Sequence, residues 1–203
     1  MDTEAPGTRR PGGRTARTRD AVLQAVISEL AENGYAETTV ERIAARAGVA
    51  KTTIYRRWGR VSGLLADLMA QYAAGEIPVP NTGSLDSDLR ALAREIVAGL
   101  QNPAIRAAFG SVVAAAIQDE AAREVLSRFI AARTAIMTVI VQRASQRGEL
   151  PDRTDAAEVL QIVTAQIYYR LLIAGEEPSH SIADRAGATA AAAARANVSK
   201  HRR

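Results

Sequence analysis

Apolar residues recur at spacings of three and four along almost the whole chain, and no segment alternates apolar and polar residues with period two. That is the pattern of amphipathic helices, which repeat every ~3.6 residues, and it leaves no candidate strand. The fold class is therefore all-α, with about nine helices. Alanine is abundant and aromatics make up only 4%, which favours helices packed at close range over sheet layers. With 203 residues, 47% of them hydrophobic, the chain is long and apolar enough to bury a substantial core.

Glycine and proline divide the chain. Residues 1–17, rich in Gly, Pro and Arg, are expected to form a flexible basic arm. A first helix runs from about Thr18 to Asn33, burying Val22, Leu23, Val26, Ile27 and Leu30, and Gly34 closes it. The second begins at Thr38-Thr39-Val40-Glu41, where Thr38 and Glu41 have the spacing of a capping box, and Gly48 ends it. The third covers Lys51 to Trp58, with Ile54 and Trp58 facing inward. Leu64, Leu65, Leu68, Met69 and Tyr72 mark a fourth, which continues to the break at Pro78. Five more follow, over about Leu85–Leu100, Pro103–Gln118, Glu120–Arg147, Asp152–Ala174 and Ser181–Asn197. Residues 18–62 read as a small N-terminal domain and 63–203 as a larger helical bundle.

Charge is placed unevenly. Residues 1–60 carry eleven Lys/Arg against seven Asp/Glu, whereas residues 61–203 carry fifteen of each, so the net charge of +4 lies entirely in the first third. A basic end on a neutral body suits contact with a polyanion. The chain has no cysteine, and its two histidines are His180, in an expected loop, and His201, in a basic tail. With no phosphate-cradling glycine loop and no clustered metal ligands, no catalytic constellation can be assembled, so neither enzyme, metal site nor cofactor is expected. Residues 1–20 are polar and contain no secretory signal. The longest aliphatic run, Ala135 to Val141, is far short of the ~20 residues that span a bilayer. A cytoplasmic protein without a membrane partner is expected.

The second and third helices, joined by a tight turn at Gly48, have the form of a helix-turn-helix. Ala44 is small enough for the two helices to approach, and Val49 and Ile54 fill the wedge between them. Lys51, Thr52, Thr53, Tyr55, Arg56 and Arg57 are left facing outward. Such side chains read base edges or hold phosphates.

The run Gly34-Tyr35, Thr38-Thr39-Val40, Ile43-Ala44, Ala47-Gly48-Val49, Ile54-Tyr55 and Trp58 resembles the signature of the TetR family, matching it over some 25 positions. The resemblance implies a DNA-binding transcriptional regulator, most often a repressor, that binds a palindromic operator in double-stranded DNA as a homodimer. Its site residues, carried over by position, are Thr38 and Thr39 at the start of the second helix, Lys51, Thr52 and Thr53 toward bases, Tyr55 toward phosphate, and Arg56, Arg57 and Arg60 beside them. One position departs from the family: Val61 stands where a phosphate-contacting lysine is usual. Arg60 and the arginines at 9, 10, 14, 17 and 19 are candidates to compensate.

In the family the larger domain binds a small effector and supplies the dimer interface. The segment from Arg147-Gly148-Glu149-Leu150-Pro151 to Tyr168-Tyr169-Arg170-Leu171-Leu172 is similar to a subset of such domains. Apolar Leu100, Phe109, Val113, Ile117, Phe129 and Met137, with Gln166 and Tyr169 as polar handles, are the candidate lining of a site for a largely apolar effector. The helix at Asp152–Ala174, carrying Val159, Leu160, Ile162, Val163, Ile167, Leu171 and Leu172, is expected to dominate the dimer, because the last helix is nearly all alanine. The alternatives are a regulator that has no small-molecule effector, or an activator.

Overall fold

The computed structural model describes residues 13–74, 79–151 and 154–196, and among them there are nine α-helices and no strand. α1 (Gly13–Asn33), α2 (Val40–Ala47) and α3 (Lys51–Trp58) make up the head. α4 (Val61–Ala74) leads out of it to α5 (Leu85–Gly99), α6 (Pro103–Ala115), α7 (Glu120–Gln146), α8 (Ala156–Tyr168) and α9 (His180–Arg195).

In the head, Val22, Leu23, Val26, Ile27 and Leu30 are all buried on one face of α1, as their spacing predicts. They belong to the same core as Ile43 of α2, Ile54 of α3 and Leu64 and Leu65 of α4. Each such side chain contributes about 1.5–3 kcal/mol when fully buried. α1 begins at Gly13 rather than Thr18, so the last part of the expected arm is helical. Thr15 to Arg19 contains no helix breaker, and the Arg17 Nε donates back to the Gly13 carbonyl at 3.2 Å. Residues 1–12, including Arg9 and Arg10, lie outside the described residues, as do the Arg14 side chain and His201.

The capping-box expectation at α2 is corrected by one residue. Thr39 is the N-cap, its hydroxyl accepting from the Arg42 amide at 3.2 Å. Thr38 is buried, and its hydroxyl donates to the Gly34 carbonyl at 2.7 Å. Satisfying that carbonyl draws Thr38 inward and leaves the capping position to its neighbour. Gly48 ends α2 at φ +66°, where a β-carbon would be strained, and the chain turns directly into α3.

Two buried or half-buried carboxylates brace the head. Glu29 of α1, only 3% exposed, accepts from Arg42 Nε at 2.8 Å, Arg46 Nε at 2.7 Å and Asn33 Nδ2 at 3.0 Å, which holds α2 against α1. Asp67 of α4 accepts from Arg19 Nη2 at 2.7 Å and Trp58 Nε1 at 2.8 Å, joining α1, the end of α3 and α4. Trp58 is thus structural support, and Arg19 belongs to this brace rather than to a free arm.

In the body, α9 packs along α5 and α8. Its small residues explain how. Ala183, Ala186, Gly187, Ala190, Ala191 and Ala194 form the buried face, and a β-carbon at Gly187 would stand 2.6 Å from the Arg90 backbone nitrogen in α5. The alanine-rich helix is therefore a close-packed core element of its own chain. α8 also uses its apolar face internally: Val159, Leu160, Val163, Ile167 and Leu171 are buried within the protomer. It starts at Ala156, capped by the Asp155 carboxylate, and residues 152–153 lie outside the described ones. Its last turn, Tyr169–Ile173, is π-helical, with the Ala174 amide reaching back to the Tyr169 carbonyl at 2.8 Å. His180 opens α9 behind the Ser179 cap instead of lying in a loop, and it is exposed. α6 stops at Ala115, which puts Ile117 and Gln118 in the turn before α7.

Head and body are joined along α6 as well as through α4. Ser111 Oγ donates to the Leu30 carbonyl at 3.0 Å, and the Tyr35 hydroxyl donates to Asp119 Oδ2 at 3.0 Å. Asp119 is also the N-cap of α7. Burial and this bond to a carboxylate push the Tyr35 phenol up to about 12, so it stays a donor throughout the working pH range.

Candidate functional site

α3 is anchored by Ile54, fully buried, and by half-buried Trp58. That pins its opposite face outward, and Lys51, Thr52, Tyr55, Arg56 and Arg57 are all exposed, with Thr53 half-buried. Arg60, just beyond the helix, is exposed too. α3 contains no acidic residue, and among the described residues neither Lys51 nor Arg56 is held in an ion pair; Arg57 lies over the Trp58 ring at 4.8 Å. Thr39 is exposed at the start of α2, where unpaired amides point outward. Thr38 is not part of this face: it is 5% exposed and bonded inward, so the expectation that it meets DNA is corrected. Val61 packs against the core and leaves its position without a cation.

One acidic side chain does reach the face. The Tyr55 hydroxyl donates to Glu41 Oε1 at 3.0 Å, linking α3 to α2, and that bond raises the phenol's pKa. Glu41 thus bonds to Tyr55 and not back to Thr38 as a capping box requires.

A second site lies in the body. A cavity of about 590 Å³ is lined by side chains of α1, α4, α5, α6, α7 and α8, most of them apolar. Of the sequence candidates, Leu100, Phe109, Phe129 and Met137 line it. Phe109 stands edge-on to Phe129 at 6.0 Å and against Tyr168 at 5.2 Å. Val113 packs against the core outside the lining. Ile117 is 75% exposed, since α6 has already ended, and Tyr169 is 60% exposed. Gln166 also lies outside the lining, and Tyr168 takes the place expected of Tyr169. One residue along a helix is a rotation of about 100°, enough to exchange inside for outside. Sequence reasoning missed Arg133, which lines the cavity midway between Phe129 and Met137 at four-residue spacing. The available signal was a lone arginine on an otherwise apolar stripe of α7.

Among the described residues no group of acidic, histidine or cysteine side chains is placed to hold a metal ion, and no helix is long and apolar enough to cross a membrane.

Comparison with known proteins agrees with this geometry. Residues 22–68 match the family described as bacterial regulatory proteins, tetR family, and residues 79–190 match the tetracyclin repressor-like C-terminal domain. The chain is 30% identical over 168 residues to the uncharacterized HTH-type transcriptional regulator YdeS of Bacillus subtilis, covering 83% of this chain and 85% of that one. It is 32% identical over 164 residues to the DNA-binding transcriptional repressor TetR of Mycobacteroides abscessus, covering 78% and 84%. Among solved structures, the SmeT–triclosan complex has the same fold, with a TM-score of 0.65 at 22% identity, covering 88% of this chain and 90% of that one. An exposed basic third helix on a helix-turn-helix head, a matching body and relatives of near-equal length place the chain in the TetR family of bacterial helix-turn-helix transcriptional regulators.

Proposed function

We propose that the protein is a homodimeric repressor that binds a palindromic operator through α3 and is released by a small, largely apolar effector in the cavity. The observation that carries the DNA part is the α3 face, where Lys51, Arg56 and Arg57 are exposed on a helix whose other side is locked into the core, and where among the described residues neither Lys51 nor Arg56 is held in an ion pair. Lys51, Thr52 and Thr53 at its start face bases, while Tyr55, Arg56, Arg57 and Arg60 take phosphates. Two such helices, one from each protomer, read half-sites about one helical turn apart and so block polymerase at an overlapping promoter.

The cavity supports the effector reading over that of a regulator indifferent to small molecules, which a solidly filled core would have favoured. Leu68, Met69 and Tyr72 of α4 line it, while Leu64 and Leu65 of the same helix are buried in the core that the head shares. Phe109 of α6 lines it too, one helical segment from Ser111, which bonds to α1. An effector that binds one head spacing better than the other shifts the dimer toward it, and DNA must weaken effector binding by the same factor. A relative is named a repressor, and a protein of the same fold is bound to triclosan, which agrees with this reading. Dimerisation finds support in Tyr169 and Ile173, exposed at the end of α8 after its other apolar residues have gone into the core.

The test is a titration of the purified protein against its own upstream intergenic DNA, followed by anisotropy and footprinting at several salt concentrations. A protected palindrome, weakened by salt, by Lys51→Ala and by Tyr55→Phe, is expected. Sequence-indifferent binding that ignores both substitutions would overturn the reading.

A further inference from the structure

Among the described residues, two polar groups on the wall of the apolar cavity have no partner that neutralises or completes them. Arg133 forms no ion pair among the described residues. Its one hydrogen bond is long, 3.5 Å from Nη1 to the Ala73 carbonyl. Arg19, Arg46, Arg90, Arg94 and Arg147 each hold a carboxylate, which pushes their pKa values up, whereas burial pushes that of Arg133 down. A guanidinium does not give up its proton in a protein, so the charge remains in apolar surroundings. The second group is Tyr168. Its ring leans on Phe109, its hydroxyl donates no hydrogen bond among the described residues, and burial pushes the phenol up to about 12. Arg133 lies close enough for its charge to act on that phenol.

Arg133 and Tyr168 are each half-buried, and a partly desolvated cation or hydroxyl without a partner costs stability. Both face the same empty space. A guanidinium offers two parallel N–H donors that fit the two oxygens of a carboxylate, and a phenol adds one O–H donor. The remaining lining is mostly apolar, and a volume of 590 Å³ falls within the about 300–1,000 Å³ typical of small-molecule sites. Glu95 is also on the wall, but it is exposed and forms no ion pair with Arg133 among the described residues. Building on the effector reading above, we propose that the cavity takes an apolar monocarboxylate, its carboxylate clamped by Arg133 and bonded by the Tyr168 hydroxyl, its body lying among Phe109, Phe129 and Met137. A neutral ligand leaves the cation unmatched, an organic cation is repelled by it, and a dianion finds only one arginine.

Calorimetric titration of the full chain with dodecanoate, dodecanol and dodecylamine tests this, alongside operator release by each compound measured separately by anisotropy. Dodecanoate is expected to bind at least about tenfold more tightly than either analogue. Arg133→Met should weaken dodecanoate by about 10- to 100-fold and leave dodecanol unchanged, and Tyr168→Phe should weaken it about threefold or more. Removing an unmatched cation should not lower the melting temperature of the free protein; if Arg133→Met does not fold, Arg133→Gln and Tyr168→Phe carry the same test. Dodecanol binding as tightly as dodecanoate, no dodecanoate binding at all, or dodecylamine preferred and lost in Glu95→Gln, each overturns the proposal. The two readings separate cleanly. Dodecanoate bound through Arg133 without operator release keeps the carboxylate site and refutes the effector role, whereas equal release by dodecanol keeps the effector role and refutes the carboxylate site.

Discussion

Replacing Glu29 with glutamine should destabilise the head by about 2 kcal/mol at neutral pH, and the loss should fade in acid. The carboxylate is almost wholly buried and accepts hydrogen bonds from Arg42, Arg46 and Asn33. Glutamine has the same shape but only one acceptor oxygen, and its amide N–H groups face a donor on one side. Hydrogen bonds to a charged group are worth about 1.5–3 kcal/mol each, and breaking a fully buried pair costs about 3–5 kcal/mol. Arg42 and Arg46 are 46% and 36% exposed, so both regain water and the lower figure applies. For a chain of this size ~2 kcal/mol corresponds to a melting temperature lower by about 4–8 °C. The bond from Arg42, with that from Arg46, holds the Glu29 carboxyl below its ordinary pKa despite burial. A depressed carboxyl stabilises the fold above its unfolded pKa, about 4.3, and that contribution is lost as pH falls through the folded value. Urea unfolding of both proteins at one concentration should therefore give a constant gap from pH 8 to about pH 5, closing below about pH 4. A gap under ~0.5 kcal/mol at pH 7, or one unchanged in acid, would refute the reasoning.

Three further outcomes follow from the geometry. Gly187→Ala should lower stability by about 1–3 kcal/mol, since a methyl 2.6 Å from the α5 backbone outweighs the ~1 kcal/mol that alanine brings to a helix; an unchanged or higher melting temperature would mean that α9 does not approach α5 so closely. Glu41→Gln should strengthen operator binding about two- to fivefold at low salt, because it removes the carboxylate beside Tyr55 on the DNA-facing side; weaker binding would show that Glu41 positions the tyrosine instead. Thr39→Ala should cost about 1 kcal/mol in unfolding experiments through the lost α2 cap, and no measurable loss would place the cap elsewhere.

The parts of this protein legible in the sequence are those governed by local physics. Helical spacing identified the buried face of α1 residue by residue, and the bounds of α3 at Lys51 and Trp58 follow from Gly48 before it and Gly59 after it. The outward face of α3 was equally legible, because burying Ile54 leaves its neighbours no other direction. What lay outside local physics was the identity of each face's partner. Periodicity shows that the α9 alanines share a side, but only the packed chain shows them seated on α5 rather than on a second protomer. It shows that Thr38 and Thr39 can both cap, yet the Gly34 carbonyl decides between them. It marks α8 as apolar, yet the choice between Tyr168 and Tyr169 at the cavity depends on helix rotation, which the burial of Val159, Val163 and Ile167 fixes so that Tyr168 meets Phe109. Arg133 is the sharpest case, since a single arginine on an apolar stripe is ordinary in a sequence. Only the packing of six helices around the cavity makes it a charge without a counter-charge among the described residues. Sequence periodicity determines which residues share a face; long-range packing determines what that face meets, because a partner distant in the chain leaves no trace in local spacing.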